Sequence, residues 1–140
     1  MSDEESKALI RRWYDEVWIG RNPDAIDVLY APTWVGHFAG AELPDPVTHK
    51  RVAVTFNAAF PDARYDVEQL FAEGDQVGSL VTIRATHQGE FRGIAATGRS
   101  VTWTNMNIHR VAGGRIAEQW CQHDVLTLLN QLGARPESRS

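Results

Sequence analysis

Between Gly98 and Gly133 the chain reads GRSVTWTNMNIHRVAGGRIAEQWCQHDVLTLLNQLG, two β-rich stretches either side of Gly113-Gly114 followed by a short apolar run with helical spacing. Both central residues of a type I′ turn need positive φ, which glycine adopts without a Cβ clash, so the pair marks a β-hairpin. A two-residue turn also fixes the register. Ala112 opposes Arg115, and counting outward pairs Val111 with Ile116, His109 with Glu118, Asn107 with Trp120, Asn105 with Gln122 and Trp103 with Asp124. Residues directly opposite one another share a face of the sheet.

One face then carries Trp103, Asn105, Asn107, His109, Glu118, Trp120, Gln122 and Asp124, and the other carries Met106, Ile108, Ala117 and Cys121, with His123 alongside. Indoles alternating with amides, a histidine and carboxylates do not describe a plain core face. They suit the wall of a mostly apolar pocket holding a few placed polar groups, because two tryptophans on a solvated face are costly. A bulge in either strand would reverse this sorting on one side of it.

The rest of the chain supplies the cover for such a face. Leu9, Ile10, Trp13, Tyr14, Val17 and Trp18 recur at helical spacing after an acidic start, Gly20 ends the helix, and Asn22-Pro23 opens a second with Ile26, Leu29 and Tyr30 inward. Tyr14 and Trp18 reach the pocket with their polar tips. Residues 34–38 form a short strand carrying His37, 40–47 is a proline-containing rim loop, and Thr48 to Phe60 is a third helix with Val52, Phe56, Ala59 and Phe60 inward. Strands follow at 64–71 and 76–86, then a glycine-punctuated loop at 87–93. The tail from Ala134, with Pro136 and several polar residues, is expected to be loose, giving one domain over 1–135 and a tail at 136–140.

Composition excludes several functions. With 140 residues, 43% of them hydrophobic, the chain has room for one core. A net charge of -4 gives no basic footprint for nucleic acid. No apolar run approaches the roughly 20 residues that span a bilayer, and the start MSDEESK has no signal-peptide pattern, so no membrane association and a cytoplasmic location are expected. The lone Cys121 forms no internal disulfide, and histidines at 37, 49, 87, 109 and 123 show no metal-ligand spacing.

The runs THQGEFRGIAATGRSVTWTNMNIHRVAGGRIAEQW and D-V-L-x-L-L-x-Q-L-G, with EVW, YAPTWVGHF and AAFPDARYDVEQLFAEGDQV before them, resemble the SnoaL-like polyketide cyclases of the nuclear transport factor 2-like superfamily. The resemblance implies an α+β cone: a curved antiparallel sheet wrapped around about three N-terminal helices and a short C-terminal one, enclosing a deep pocket. It implies intramolecular aldol chemistry on a hydrophobic or aromatic carbonyl compound, with neither metal nor cofactor. Asp124 is then the acid and base, assisted by His109, with His37 facing the cavity and Trp103, Asn105, Asn107, Trp120, Gln122, Tyr14, Trp18 and Phe56 shaping it. It also implies a homodimer through the convex sheet face, where Met106, Ile108 and Ala117 are the candidates.

The residues leave alternatives to that picture. Asp124 directly precedes the helical run Val125 to Leu129 and stands where an N-cap belongs, a role that lowers a carboxyl pKa instead of raising it. Glu118 can pair with Arg110 or Arg115 in water. A non-catalytic binding or dimerisation module would keep the same pocket, and an epoxide-opening or hydroxylating enzyme would hold water on Asn105, Asn107 and Gln122.

Overall fold

The computed structural model describes residues 1–133, so the loose tail expected at 136–140 lies outside the described residues. Helix α1 (Asp3–Trp13) begins on a reciprocal cap: the Ser2 hydroxyl accepts from the Glu5 backbone N–H at 3.1 Å, and the Glu5 carboxylate accepts from the Ser2 N–H at 2.8 Å. Leu9, Ile10 and Trp13 line its inner face. The helix then widens into a π-type turn, Tyr14–Ile19, and stops at Gly20, where an added Cβ would sit 2.9 Å from the Asp15 carbonyl oxygen. That turn leaves the Trp18 ring 5.8 Å from the Trp13 ring.

A 3-10 turn (Pro23–Ala25) leads into α2 (Ile26–Leu29) and strand β1 (Tyr30–Phe38). The segment expected as a rim loop holds a short strand, β2 (Ala41–Leu43), and α3 (Pro46–Ala59) begins two residues before Thr48 because Asp45 caps it, accepting from the Thr48 N–H at 2.8 Å. Strands β3 (Arg64–Glu73), β4 (Gln76–Thr86), β5 (Ser100–Ala112) and β6 (Arg115–His123) follow, then α4 (Val125–Gln131). The six strands form one curved sheet in the order β2-β1-β6-β5-β4-β3, antiparallel except where β1 runs parallel to β6. The core lies between the concave face and the helices, centred on Ile10, Trp13, Tyr30, Trp34, Val81 and Ile83. Among the described residues no helix is long and apolar enough to cross a membrane.

The β5–β6 hairpin turns at Gly113 and Gly114, with φ of 59° and 78°, as the glycine pair requires. Its register holds for two pairs only. Ala112 faces Arg115 and Val111 faces Ile116, but Arg110 then faces Glu118, leaving Ala117 as an extra residue on β6. Ile116 and Ala117 are consecutive and both buried, which regular strand alternation forbids and a bulge allows. Every later position on β6 is therefore turned over. His109 pairs with Gln119, Asn107 with Cys121 and Asn105 with His123 on the concave face. Arg110, Ile108 and Met106 pair with Glu118, Trp120 and Gln122 on the convex face.

The convex face keeps an apolar patch. Met106 is 60% exposed, Ile108 46% and Phe71 62%, the last lying over Gly78 on the neighbouring strand. Ala117, expected among them, is buried at the bulge instead.

Candidate functional site

A cavity of about 420 Å³ opens between the concave sheet face, α1, α3 and α4. Its walls are mainly aromatic: Trp13 and Trp18 from the first helical segment, Phe38 from β1, Phe56 from α3, Tyr65 from β3 and Trp103 from β5. Phe91 and Arg92, from the loop after β4, and Arg51, from α3, also line it. Among the described residues no carboxylate lines the cavity, and no group of three or more His, Cys, Asp or Glu side chains is placed to hold a metal.

The polar groups fall into three sets. The first is a chain rooted in the sheet. Gln119 Nε2 donates to Asn107 Oδ1 at 3.0 Å, Asn107 Nδ2 donates to the Tyr14 hydroxyl at 3.1 Å, and that hydroxyl is hydrogen-bonded to the Ser79 hydroxyl at 2.7 Å. Burial raises the Tyr14 pKa, so it stays a neutral phenol. Gln119 Oε1, Asn105 Oδ1, Trp18 Nε1 and the Tyr65 hydroxyl are buried with no partner among the described residues, although all four residues line the cavity. Buried polar atoms are nearly always satisfied, so these are atoms for a ligand or water to meet.

The second set fixes one imidazole. Trp13 Nε1 donates to the Tyr30 hydroxyl at 2.9 Å, and Tyr30 lies 2.6 Å from His49 Nδ1. The His49 ring lies flat on Trp34 with centroids 5.0 Å apart and planes at 1°. Burial holds its pKa down at about 3, so the ring is neutral. The third set is at β6: His123 is half-buried beside the cavity, its pKa lowered by desolvation and then by the Arg92 charge. Cys121 is buried, and desolvation pushes its thiol up to about 12, too high for a thiolate at neutral pH.

Six of the residues expected from sequence meet in this cavity: Tyr14, Trp18, Phe56, Trp103, Asn105 and Asn107. The other five lie elsewhere, and the bulge at Ala117 accounts for two of them. Trp120 and Gln122 are turned to the convex face, while Cys121 and His123, expected outside, are turned in. Asp124 is exposed and caps α4. It accepts from the Thr127 backbone N–H at 3.1 Å and from the Thr127 hydroxyl at 2.6 Å, and these bonds lower its pKa.

His37 also faces outward. It lies between Glu42 and Glu118, each at 2.6 Å, and stacks on Trp120 with centroids 5.3 Å apart. Hydrogen bonds to Glu118 and then Glu42 raise its pKa. Glu118 takes Arg110 as its other partner, at 3.1 Å. His109 is on the concave face but lies behind Trp13, ring centroids 4.4 Å apart, and contributes nothing to the lining.

His49, Tyr65, Gln119, Cys121 and His123 went unassigned to the pocket from sequence. The spacing 49, 53, 56, 60 on α3 puts His49 on the helix's inner stripe and was signal enough to find it. The β6 residues carried no such signal, because alternation gives their face only once the bulge is known.

Comparison with known proteins places this geometry among relatives. The family model described as SnoaL-like polyketide cyclase matches residues 8–132. A proposed hydroxylase from Streptomyces galilaeus is similar at 30% identity and TM-score 0.87, over 96% of this chain and 100% of that one. A proposed polyketide cyclase from Acidithiobacillus ferrooxidans gives 30%, 0.82, 92% and 94% for the same quantities. Another from Streptomyces antibioticus gives 31%, 0.79, 92% and 99%. Among curated proteins none matches.

Proposed function

The chain belongs to the SnoaL-like polyketide cyclase family, whose role is of the cyclase or isomerase type, and we propose that it closes or isomerises a small, largely apolar carbonyl compound by moving a proton α to the carbonyl. The observation that carries this reading is a neutral, half-buried imidazole, His123, in an aromatic cavity on the same sheet face as Asn105 and Asn107. His123 takes the α-proton. The resulting enolate carbon attacks a second carbonyl of the same molecule, forming the new C–C bond, and the alkoxide so made recovers the proton from the imidazolium. Product and substrate are isomers. The Asn105 and Gln119 side chains, each with an unpartnered amide oxygen, bind substrate hydroxyl groups.

His123 is preferred to Asp124 as the acid and base because a capping carboxylate with a lowered pKa is a weak base directed at its own helix. Met106 and Ile108 on the convex face are taken as the surface joining two copies of the chain.

The test is exchange of the α-protons of 2-tetralone with deuterated solvent, followed by proton NMR. The protein and its Asp124→Asn variant should both accelerate exchange, and His123→Phe should not. Loss of exchange in Asp124→Asn with the fold intact would return the role to Asp124. Binding without exchange in any form would favour a module that only holds a ligand.

A second reading comes from the two orphaned amide oxygens, which supply acceptors for a bound water, and from the hydroxylase relative. A water-using enzyme would leave solvent oxygen-18 in its product, and an aldol closure would not.

A further inference from the structure

His49 has a tautomer that its neighbours dictate. The Trp13 indole can only donate, so the Tyr30 oxygen accepts from it, and His49 Nδ1 is the one acceptor among the described residues within hydrogen-bond distance of the Tyr30 hydroxyl, which places the Tyr30 hydrogen there. The ring hydrogen must then sit on Nε2, which has no protein partner among the described residues. Stacking on Trp34 and burial to 1% exposure leave the ring a single orientation, and His49 lines the cavity with Trp18 and Phe38 beside it. His49 Nε2 is not among the fully buried unpartnered atoms, so it keeps accessible surface where the ring lines the cavity, and a chain of two buried donors holding the ring in place is an arrangement for presenting that hydrogen.

We infer that His49 Nε2–H is the donor that binds the substrate's ketone oxygen and stabilises the enolate formed there, with Tyr30 and Trp13 as the residues that position it. This deepens the reading above, on which it rests. A donor that stays neutral suits the task. It carries no charge that would need a counter-ion in an aromatic cavity, and it is aimed before charge develops on the oxygen, so no reorganisation is needed when the proton leaves carbon. No proton is transferred from His49. It shares its hydrogen while His123 takes the α-proton and returns it. The substrate class is thereby narrowed to compounds whose enolisable ketone reaches the α3 side of the cavity while the α-carbon faces β6.

The test uses the whole protein with 1-tetralone and its deoxygenated analogue tetralin as probes. Nitrogen-15 and proton NMR on histidine-labelled protein should show His49 protonated at Nε2 and bare at Nδ1 without ligand. Adding 1-tetralone should shift the Nε2–H resonance and adding tetralin should not. The preference for 1-tetralone over tetralin should fall about fivefold in His49→Phe, the value of one neutral hydrogen bond. Tyr30→Phe should allow hydrogen onto Nδ1 and lose a similar preference while keeping tetralin binding.

A proton on Nδ1 in the unliganded protein would overturn the inference, as would an Nε2–H resonance indifferent to 1-tetralone or an unchanged preference in His49→Phe. The NMR measurements need no variant to fold. If α-proton exchange is absent but this binding pattern holds, the catalytic reading fails and the donor stands. If exchange occurs without the pattern, only the inference fails, and if there is neither exchange nor binding of either probe, both do.

Discussion

His109 is the buried group whose replacement has the most definite consequence. It is fully buried, its two ring nitrogens have no partner among the described residues, and it lies against Trp13. Burial, with a further contribution from His49, holds its pKa down at about 3 against 6.5 for a free side chain. The unfolded chain therefore takes up a proton below pH 6.5 while the native ring does not. A depressed native pKa means that the stability is whole above 6.5 and is lost as pH falls toward 3. The slope is about 1.4 kcal/mol per pH unit for each such histidine.

His49 has the same sign and a similar pKa, so the two together contribute about 2.7 kcal/mol per pH unit between pH 6 and 4. His109→Leu removes one of them. It should take about 1.4 kcal/mol per pH unit off the measured slope while leaving stability near pH 7 unchanged or higher by about 1 kcal/mol, since an apolar side chain of similar size replaces two unsatisfied nitrogens. Urea unfolding followed by tryptophan fluorescence at a series of pH values reads both quantities. A slope equal to that of the parent protein, or a loss of more than about 2 kcal/mol near neutrality, would mean that His109 has partners that the burial argument denies it. Binding of 1-tetralone should survive the change, because His109 does not touch the cavity.

Three further outcomes are expected. Asp124→Ala should lower the thermal midpoint and Asp124→Asn should not, because asparagine caps a helix as well as aspartate does; equal losses would sink the capping account. The parent protein should sediment at equilibrium as a dimer and the Ile108→Lys, Met106→Lys double variant as a monomer with tetralone binding undisturbed; a monomeric parent, or a mass unchanged by the substitutions, would remove the convex face as the joining surface. Gly113→Val should cost about 1–2 kcal/mol in urea, the penalty for a Cβ in the left-handed region, where the backbone has φ of 59°; a neutral result would mean the turn can be rebuilt.

The fold could be read from the sequence to a large extent because its signals are local. The apolar recurrence from Leu9 to Trp18 marks a helix and its inner face, Gly113-Gly114 makes a hairpin, and the long runs on either side resemble one family throughout. The cavity was readable wherever a residue's direction follows from such local rules, as for Tyr14 and Trp18 on the first helical segment, Phe56 on α3, and Trp103, Asn105 and Asn107 on β5. Where direction depended on the partner strand, it was not readable. His37, Trp120 and Gln122 were assigned inward and lie outward, and Cys121 and His123 the reverse.

The sequence by itself determined the main helices and strands, their order, the turn and the aromatic character of the cavity, because helix periodicity and glycine stereochemistry act within a few residues. Only the tertiary structure decided which imidazoles serve the cavity. One inserted residue, Ala117, turns β6 over and brings His123 inward, and a hydrogen bond from Tyr30 on β1 to His49 on α3 sets a tautomer that neither residue carries in its own segment. Both effects come from contacts between elements. A strand has two faces of equal intrinsic standing, and a neutral imidazole has two tautomers of similar energy, so the packing of distant partners makes the choice.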